Sequence, residues 1–341
     1  MKAQRQDKTQ QGWVRLLPFW AILALALAHL TDPLGIARMS NMRMADLYQT
    51  FMPRPVASAG KTIHVDIDPE SAQRLGPWPW PRTMLARLHD RLTGFGAQVV
   101  VFDFVLPGRD PTSPDQLIET MWNQPGAREA IGALSRLPDH DAQLARSLAS
   151  GRAVTGFRPL AAARTETPPS SRAIVWEGDT NALRAPRSDS ALVGNQALNM
   201  ASAGIGNVAA PLSSDGVLRA LPLVTAIGDR LFPHVVVEAL RIGRAADEVR
   251  LLTTNGDTPR ILGLEVGDLR IPTAADGSLY LYYGRPTDVP TYSAFDVLRD
   301  DFDGRQVNGA YVFIGDRVDP GTNITETNFS TKITKTRTKE Y

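Results

Sequence analysis

Apolar and polar residues alternate along residues 63–68, and a second, mostly apolar run follows at residues 98–104. Between these runs, Leu85, Leu88 and Leu92 recur at the spacing of one helix face. Two strand-like runs joined by an amphipathic helix are expected to form a right-handed βαβ unit with parallel strands. The pattern therefore predicts that the folded domain begins near residue 61.

The rest of the chain alternates between helix-like and strand-like patterns. Helices are expected at residues 116–122, 127–137 and 139–149, the last one capped by Asp139. Another helix is expected to open at Pro233 and to bury Val236, Val237 and Leu240. Strands are expected at residues 153–157, 249–252, 269–271, 279–283 and 310–314. We therefore expect an α/β fold with one mixed, mainly parallel central sheet flanked by helices.

Two segments are expected to lie outside this packed core. Residues 161–188 are rich in Pro, Ser, Thr and Arg and predict a surface excursion. Residues 319–341 form a polar tail that contains Lys332, Lys335 and Lys339, whereas residues 1–321 contain only three lysines. This change in composition predicts either a disordered tail or a truncated, frameshifted or appended sequence.

The N-terminus carries a basic and then an apolar segment. Lys2, Arg5, Lys8 and Arg15 precede residues 16–30, which are apolar apart from one histidine. This predicts a cytoplasmic segment at 1–12, a transmembrane anchor at 13–36 and a stalk at 37–60 that leads to a domain at 61–318. Within the stalk, the apolar spacing predicts a helix at 39–48. The apolar run reaches only roughly 22 Å, so a buried helix of a cytosolic protein stays open as an alternative. A cleaved signal peptide also stays open, because Ala26-Leu27-Ala28 has the small-x-small pattern of a cleavage site.

Composition narrows the possible partners. The chain of 341 residues is 43% hydrophobic and has 37 Lys and Arg against 36 Asp and Glu, so nothing in its charge favours nucleic acid. The absence of cysteine excludes disulfides, thiolate metal sites and a Cys nucleophile. The sequence also lacks a phosphate-binding Gly-rich loop, a His-Glu-x-x-His zinc motif and a Gly-x-Ser-x-Gly elbow. We expect no cofactor, no resident metal and no catalytic residue.

Carboxylates near the ends of the first two predicted strands form a candidate site. His64, Asp66 and Asp68 should project from one face of the first strand, and Asp103 should lie on the neighbouring strand. Sites in α/β sheets usually occupy the carboxyl ends of parallel strands. The carboxylates are therefore candidates for hydrogen bonding a ligand or binding a metal. Alternatively, Asp66 or Asp103 caps the next helix and organises the loop with Arg82.

A proline-rich segment presents two tryptophans beside these carboxylates. Prolines on either side of Trp78 and Trp80 should hold the backbone near polyproline II, and Arg82 should begin the following helix. Trp78, Trp80 and Arg82 are therefore candidate ligand-binding residues in an aromatic pocket. The open alternative is that the tryptophans pack over the sheet edge and Arg82 pairs with a carboxylate.

Five ordered stretches make the chain similar to a known family. These are residues 63–68 with 75–82, residues 96–103, residues 206–208 with 214–223, residues 292–298 and residues 312–315. Together they resemble the CHASE type 2 sensor domain, the extracytoplasmic input module of bacterial adenylate or guanylate cyclases and sensor kinases. The most specific part of the resemblance is Trp-Pro-Trp-Pro-Arg at residues 78–82.

The resemblance implies an extracytoplasmic sensory domain of a bacterial transmembrane receptor, held at the inner membrane. Its output domain is expected to be missing from this chain, which therefore should not be an enzyme. The expected partners are an unidentified small-molecule or periplasmic ligand, the membrane and, as an open alternative, a second copy in a homodimer. The rival hypothesis is a periplasmic metal-dependent hydrolase that uses Asp66, Asp68 and Asp103.

Overall fold

The chain forms two compact units. A computed structural model describes residues 18–20, 22, 36–52, 61–160, 168, 174–176, 178, 180–213, 215–256, 258–283 and 289–317. The first unit combines Met1–Val56 with Tyr282–Arg285, and the second combines Ala57–Leu281 with Pro286–Tyr341. All of the candidate site residues belong to the second unit.

A largely parallel sheet forms the centre of the second unit. Its six parallel strands follow the spatial order β14-β1-β15-β2-β3-β6, and β5 pairs antiparallel with the end of β3. The bounds are β1 Thr62–Ile67, β2 Val99–Phe102, β3 Ala153–Leu160, β5 Ser190–Leu192, β6 Gly204–Asn207, β14 Thr291–Ser293 and β15 Tyr311–Asp316. The mainly parallel sheet, with β1 and β2 parallel in it, is therefore confirmed. The expectation that Asp103 lies on the strand next to that of Asp66 is wrong, because β15 lies between β1 and β2.

Helices cover both faces of this sheet. One face packs against α2 Pro69–Leu75, α3 Arg82–Gly94, α6 His140–Ser150, α7 Gln196–Ala201 and α9 Ala294–Leu298, while α8 Val235–Gly243 packs on the other. The predicted stripe of Leu85, Leu88 and Leu92 is completely buried on α3. Two short helices, α4 Pro114–Met121 and α5 Ala127–Leu134, lie between β2 and α6 as the sequence predicts.

The prediction of a single sheet is wrong for the second half of the chain. Three small sheets surround a separate hydrophobic core: β10-β11-β12, β13-β7 and β4-β8-β9. Their strands are β4 Arg187–Ser188, β7 Ala220–Pro222, β8 Val224–Ile227, β9 Arg230–Pro233, β10 Val249–Thr253, β11 Ile261–Val266, β12 Leu269–Pro272 and β13 Ser278–Tyr280. Leu183 and Ala185, from the predicted surface excursion, are buried in this core.

Helix α8 begins later than predicted, and its buried surface is wider than the predicted face. Pro233 ends β9, and His234 caps the helix by accepting a hydrogen bond from the Val236 backbone N–H. The helix therefore starts at Val235, two residues after the predicted start. The buried face of the helix includes Glu238 and Ile242. Val237 is buried as predicted, whereas Val236 and Leu240 are only partly buried.

The first unit contains helix α1 Ile36–Phe51, which is longer than the predicted helical stretch at 39–48. Met44, Leu47, Tyr48 and Phe51 are exposed at the spacing of one helix face. In the same unit, the Tyr283 backbone N–H donates a 3.2 Å hydrogen bond to Gln49 Oε1. The role of this helix as a stalk stays a prediction.

Most of the predicted membrane anchor at 13–36 and all of the predicted tail at 319–341 lie outside the described residues. Among the helices that the structure describes, none combines the length and apolar character needed to cross a membrane. The anchor and the tail therefore stay predictions.

A buried histidine at the contact between α3 and α6 should make stability depend on pH. His89 is fully buried, its Nδ1 lies 2.9 Å from Ser147 Oγ, and its ring stacks on Phe102. Burial lowers the pKa of His89 to about 4, although the charge of Asp90 opposes this shift. Below pH 6.5 the unfolded chain therefore binds a proton that the folded chain does not bind.

We expect the free energy of unfolding to fall as the pH drops from about 6.5 towards about 4, with a loss of about 2 kcal/mol from this group by pH 5. Urea unfolding between pH 7 and pH 5 measures this slope. In His89→Gln, the loss of unfolding free energy between pH 7 and pH 5 should be smaller by about 2 kcal/mol, whatever the stability of the variant at pH 7. An unchanged slope in this variant would contradict the assignment to His89.

Candidate functional site

Two buried aspartates and a glycine form one row across three adjacent strands. Asp66 of β1 pairs in register with Gly315 of β15. The next strand continues the row with Asp103, whose backbone N–H donates to the Ile314 carbonyl at 2.9 Å. Residues in register on parallel strands point to the same face, so Asp66 and Asp103 project together, roughly 10 Å apart along the sheet. Gly315 contributes no side chain between them.

Asp66 is bound by Arg317, the residue that directly follows the neighbouring strand β15. Asp66 is 4% exposed, and its Oδ2 accepts a 2.7 Å hydrogen bond from Arg317 Nη1. The Arg317 backbone N–H also donates to the Ile67 carbonyl, which continues the pairing of β15 with β1. The second carboxylate oxygen, Asp66 Oδ1, is buried and accepts no hydrogen bond from any group within the described parts of the chain.

A second arginine, Arg158, interacts electrostatically with the carboxylates of Asp103 and Asp316 at this edge. Arg158 lies near the end of β3, and the charges of Asp316 and Asp103 both stabilise its protonated form. Burial has the larger effect and lowers the pKa of Arg158. Asp66, Asp103, Arg158, Asp316 and Arg317 therefore form one charged cluster at the carboxyl ends of the parallel strands; we call it the strand-end site.

His64 lies on the same face of β1, two residues before Asp66. Its ring centroid is 5.9 Å from that of Phe313, its neighbour on β15. Burial lowers the pKa of His64, and the nearby charge of Asp66 opposes the shift. The imidazole is therefore neutral near pH 7, and the pair of rings forms a mainly apolar surface beside the charged cluster.

Asp68 does not join this cluster and instead caps a helix. Its Oδ1 accepts hydrogen bonds from the Ser71 backbone N–H at 2.8 Å and from Ser293 Oγ at 3.0 Å. Burial raises the pKa of Asp68, but the hydrogen bonds from Ser71 and Ser293 together lower it below its usual value. The alternative prediction that Asp66 or Asp103 caps the next helix is therefore wrong, because Asp68 caps α2 after β1 and Ser113 is the residue that precedes α4 after β2.

The two tryptophans pack into the side of the domain near the same edge. Trp80 is 3% exposed, and its Nε1 donates a 2.8 Å hydrogen bond to the Gly76 carbonyl. The partly buried ring of Trp78 meets Trp80 and Phe104 edge to face, with centroids 5.9 and 5.3 Å apart. Trp80 thus presents almost no surface to a ligand, and Trp78 presents only part of its ring.

Arg82 is directed at the insertion between β2 and β3. Its backbone N–H donates to Asp110 Oδ2 at 2.7 Å, and its Nε lies 3.5 Å from Asp141 Oδ1. Its Nη2 also donates to the Pro107 carbonyl at 3.3 Å. Arg82 therefore joins α3 to this insertion and does not organise a loop with Asp66 or Asp103.

Of the predicted site residues, Asp66 and Asp103 thus lie in one row, and Trp78 lies at the margin of the same edge. Asp68, Trp80 and Arg82 instead form local contacts. The sequence patterns did not identify Arg158, Gly315, Asp316 and Arg317 as site residues. The available signal was the charged residues that follow directly after the predicted strands at 153–157 and 310–314.

The arrangement is suited to polar recognition at a charged, partly buried edge of the sheet. Across the described ranges, no three His, Asp or Glu side chains are grouped so that they could hold a metal ion. The metal-dependent hydrolase hypothesis required Asp66, Asp68 and Asp103 around one ion, and Asp68 instead caps α2 and bonds Ser293. The described geometry therefore does not support that hypothesis.

Comparison with known families agrees with the resemblance seen in the sequence. The family model described as the CHASE2 domain matches residues 20–337, nearly the whole chain. No curated protein and no solved structure gives a significant match. CHASE2 domains are sensory extracytoplasmic domains and are not themselves catalytic. Because the family model matches nearly the whole chain, we conclude that this chain belongs to the CHASE2 domain family.

Proposed function

We propose that this chain is the extracytoplasmic input domain of a bacterial membrane receptor, held at the inner membrane by its N-terminal segment. The match of the CHASE2 family model to residues 20–337 carries this proposal. The basic residues before the apolar run at 16–30 support the orientation, because positive charges favour the cytoplasmic side. The sensed ligand binds at the strand-end site and changes how β1, β15 and β2 are held together.

The position of the site supports a sensory role. Arg317 follows β15 directly and bonds Asp66, so the same side chain contacts the site and the chain that leaves the central strand. A ligand that competes for Asp66 changes that contact. A ligand shifts a conformational equilibrium only if it binds the two states differently, and the Asp66–Arg317 pair supplies such a difference.

The topology is tested with reporter fusions in a bacterial host. We expect alkaline phosphatase fused after Tyr341 to be active, because this enzyme matures only outside the cytoplasm. The matched control is the same reporter fused after Gln11, before the apolar run, which should be inactive. An inactive fusion after Tyr341, together with fluorescence of a cytoplasmic reporter at the same position, would disprove the proposed location.

A further inference from the structure

Asp66 Oδ1 is a buried carboxylate oxygen without a hydrogen-bond donor in the described parts of the chain, although Asp66 is only 4% exposed. A buried acceptor without a donor costs about 1–3 kcal/mol, and more when the group is charged. His64 Nδ1 on the same face of β1 is also buried and accepts or donates no hydrogen bond among the described groups. The strand-end site therefore holds polar atoms that a bound donor would satisfy.

The charges of the strand-end site favour a cation. Asp66, Asp103 and Asp316 supply three carboxylates, whereas Arg158 and Arg317 supply two guanidinium groups. Burial keeps His64 neutral near pH 7, so among these residues the carboxylates outnumber the guanidinium groups by one. The two buried members of the cluster, Asp66 and Asp103, are both carboxylates, and buried negative charge is costly unless an opposite charge compensates it.

The engagement of both arginines argues against an anionic ligand. Arg317 donates to Asp66, and Arg158 is stabilised by Asp316 and Asp103. An anion would have to take an arginine away from a carboxylate and leave that carboxylate uncompensated. A protonated amine instead donates hydrogen bonds to the oxygen that lacks a donor, and charge-assisted bonds of this kind are among the strongest in proteins.

The surroundings favour an organic cation over a bare metal ion. Described His, Asp and Glu side chains form no group of three that could coordinate a metal. The rings of His64 and Phe313 lie on the same face of the sheet as Asp66. They come two residues before Asp66 on β1 and two residues before Gly315 on β15, where they can contact the carbon skeleton of a ligand.

We propose that the strand-end site recognises a small organic amine through its protonated amino group, with Asp66 Oδ1 as the acceptor. This inference rests on the proposed sensory function and adds the chemical class of its ligand. Asp103 provides further negative potential in the same row, and Arg317 competes with the amine for Asp66.

Binding to purified full-length chain tests the proposal, with thermal unfolding and calorimetry as readouts. The cationic probes are alanine methyl ester and putrescine, the anionic probes are N-acetylalanine and succinate, and magnesium chloride serves as the metal probe. We expect the amines alone to bind, and Asp66→Asn to weaken their binding about tenfold or more. Asp300→Asn is the matched control, because its side chain is fully exposed on the surface, and it should leave binding unchanged.

In a second variant, Arg317→Gln, we expect the affinity for the amines to change in the opposite direction. Arg317 is partly exposed, with 42% of its side chain accessible, so Arg317→Gln should fold. It removes the competing cation, and we expect amine binding to become about threefold tighter or more. This result would support the proposal even if Asp66→Asn failed to fold.

Three results would overturn the proposal: no binding by either amine at millimolar concentration, binding that Asp66→Asn and Asp300→Asn affect equally, or weaker binding in Arg317→Gln. Asp66-dependent binding of an anionic probe or of magnesium would reject the ligand class while leaving the sensory function in place. The reporter fusions test the extracytoplasmic location separately.

Discussion

Replacement of Arg241 by methionine is expected to lower the free energy of unfolding by roughly 3–5 kcal/mol, because it leaves a buried carboxylate without its partner. Glu238 is completely buried on α8 and accepts hydrogen bonds from Arg241 Nη2 at 2.7 Å and from Nε at 2.9 Å. Arg241 also donates to the carbonyls of Ala203 and Ala246, so its loss removes further contacts at the ends of β6 and α8. Urea unfolding measures the change.

Two further variants test this explanation. Arg241→Met combined with Glu238→Leu should recover most of the lost stability, since both buried charges are then replaced by apolar groups. Arg270→Met removes an exposed partner of Glu265 and should cost no more than about 1 kcal/mol. Equal losses in Arg241→Met and Arg270→Met would show that burial of the Glu238–Arg241 pair does not determine its contribution.

Gly206→Ala is expected to destabilise the domain by about 1–3 kcal/mol, because helix α8 packs directly on this glycine of β6. A Cβ atom at Gly206 would overlap Val235 Cα and would lie 2.7 Å from the Val235 backbone nitrogen. Both obstacles are backbone atoms, so a side-chain rotation cannot relieve the overlap and the helix must shift. Thermal or urea unfolding gives the loss of stability.

The same substitution at Gly132 provides the matched control. Gly132 is exposed within α5, and a Cβ atom there would have no neighbour within 4 Å. Alanine lowers the backbone entropy of the unfolded chain, so Gly132→Ala should stabilise the protein by about 0.4–1 kcal/mol. If Gly206→Ala were as harmless as Gly132→Ala, close packing of α8 on β6 would be wrong.

Local sequence patterns predicted the part of the fold that local periodicity determines. The alternation at residues 63–68 placed Asp66 on a strand, and the apolar run before Asp103 placed that residue at the end of the next one. The helix between them was predicted from its leucine spacing. These features depend on neighbouring residues in the chain, so one sequence contains enough information to identify them.

Long-range pairing determined what the sequence analysis missed. β15 inserts between β1 and β2, which brings Arg317 to Asp66 although 251 positions separate them in the chain. Arg82 finds its partners Asp110 and Asp141 on the insertion after β2, whose approach to α3 no periodicity predicts. The second core forms from short strands with weak alternation, so its separation from the central sheet also had to come from the structure.

The central position of β15 has a consequence for the order of folding. During synthesis, β1 and β2 emerge early, yet each forms hydrogen bonds with β15 rather than with the other. The sheet therefore has an open gap, with unpaired strand edges, until residues near 311–316 leave the ribosome. Late closure of this kind is slow because contacts between distant residues require long loops to close first. We therefore expect a nascent chain of this domain to depend on β15 to protect the facing edges of β1 and β2 from aggregation.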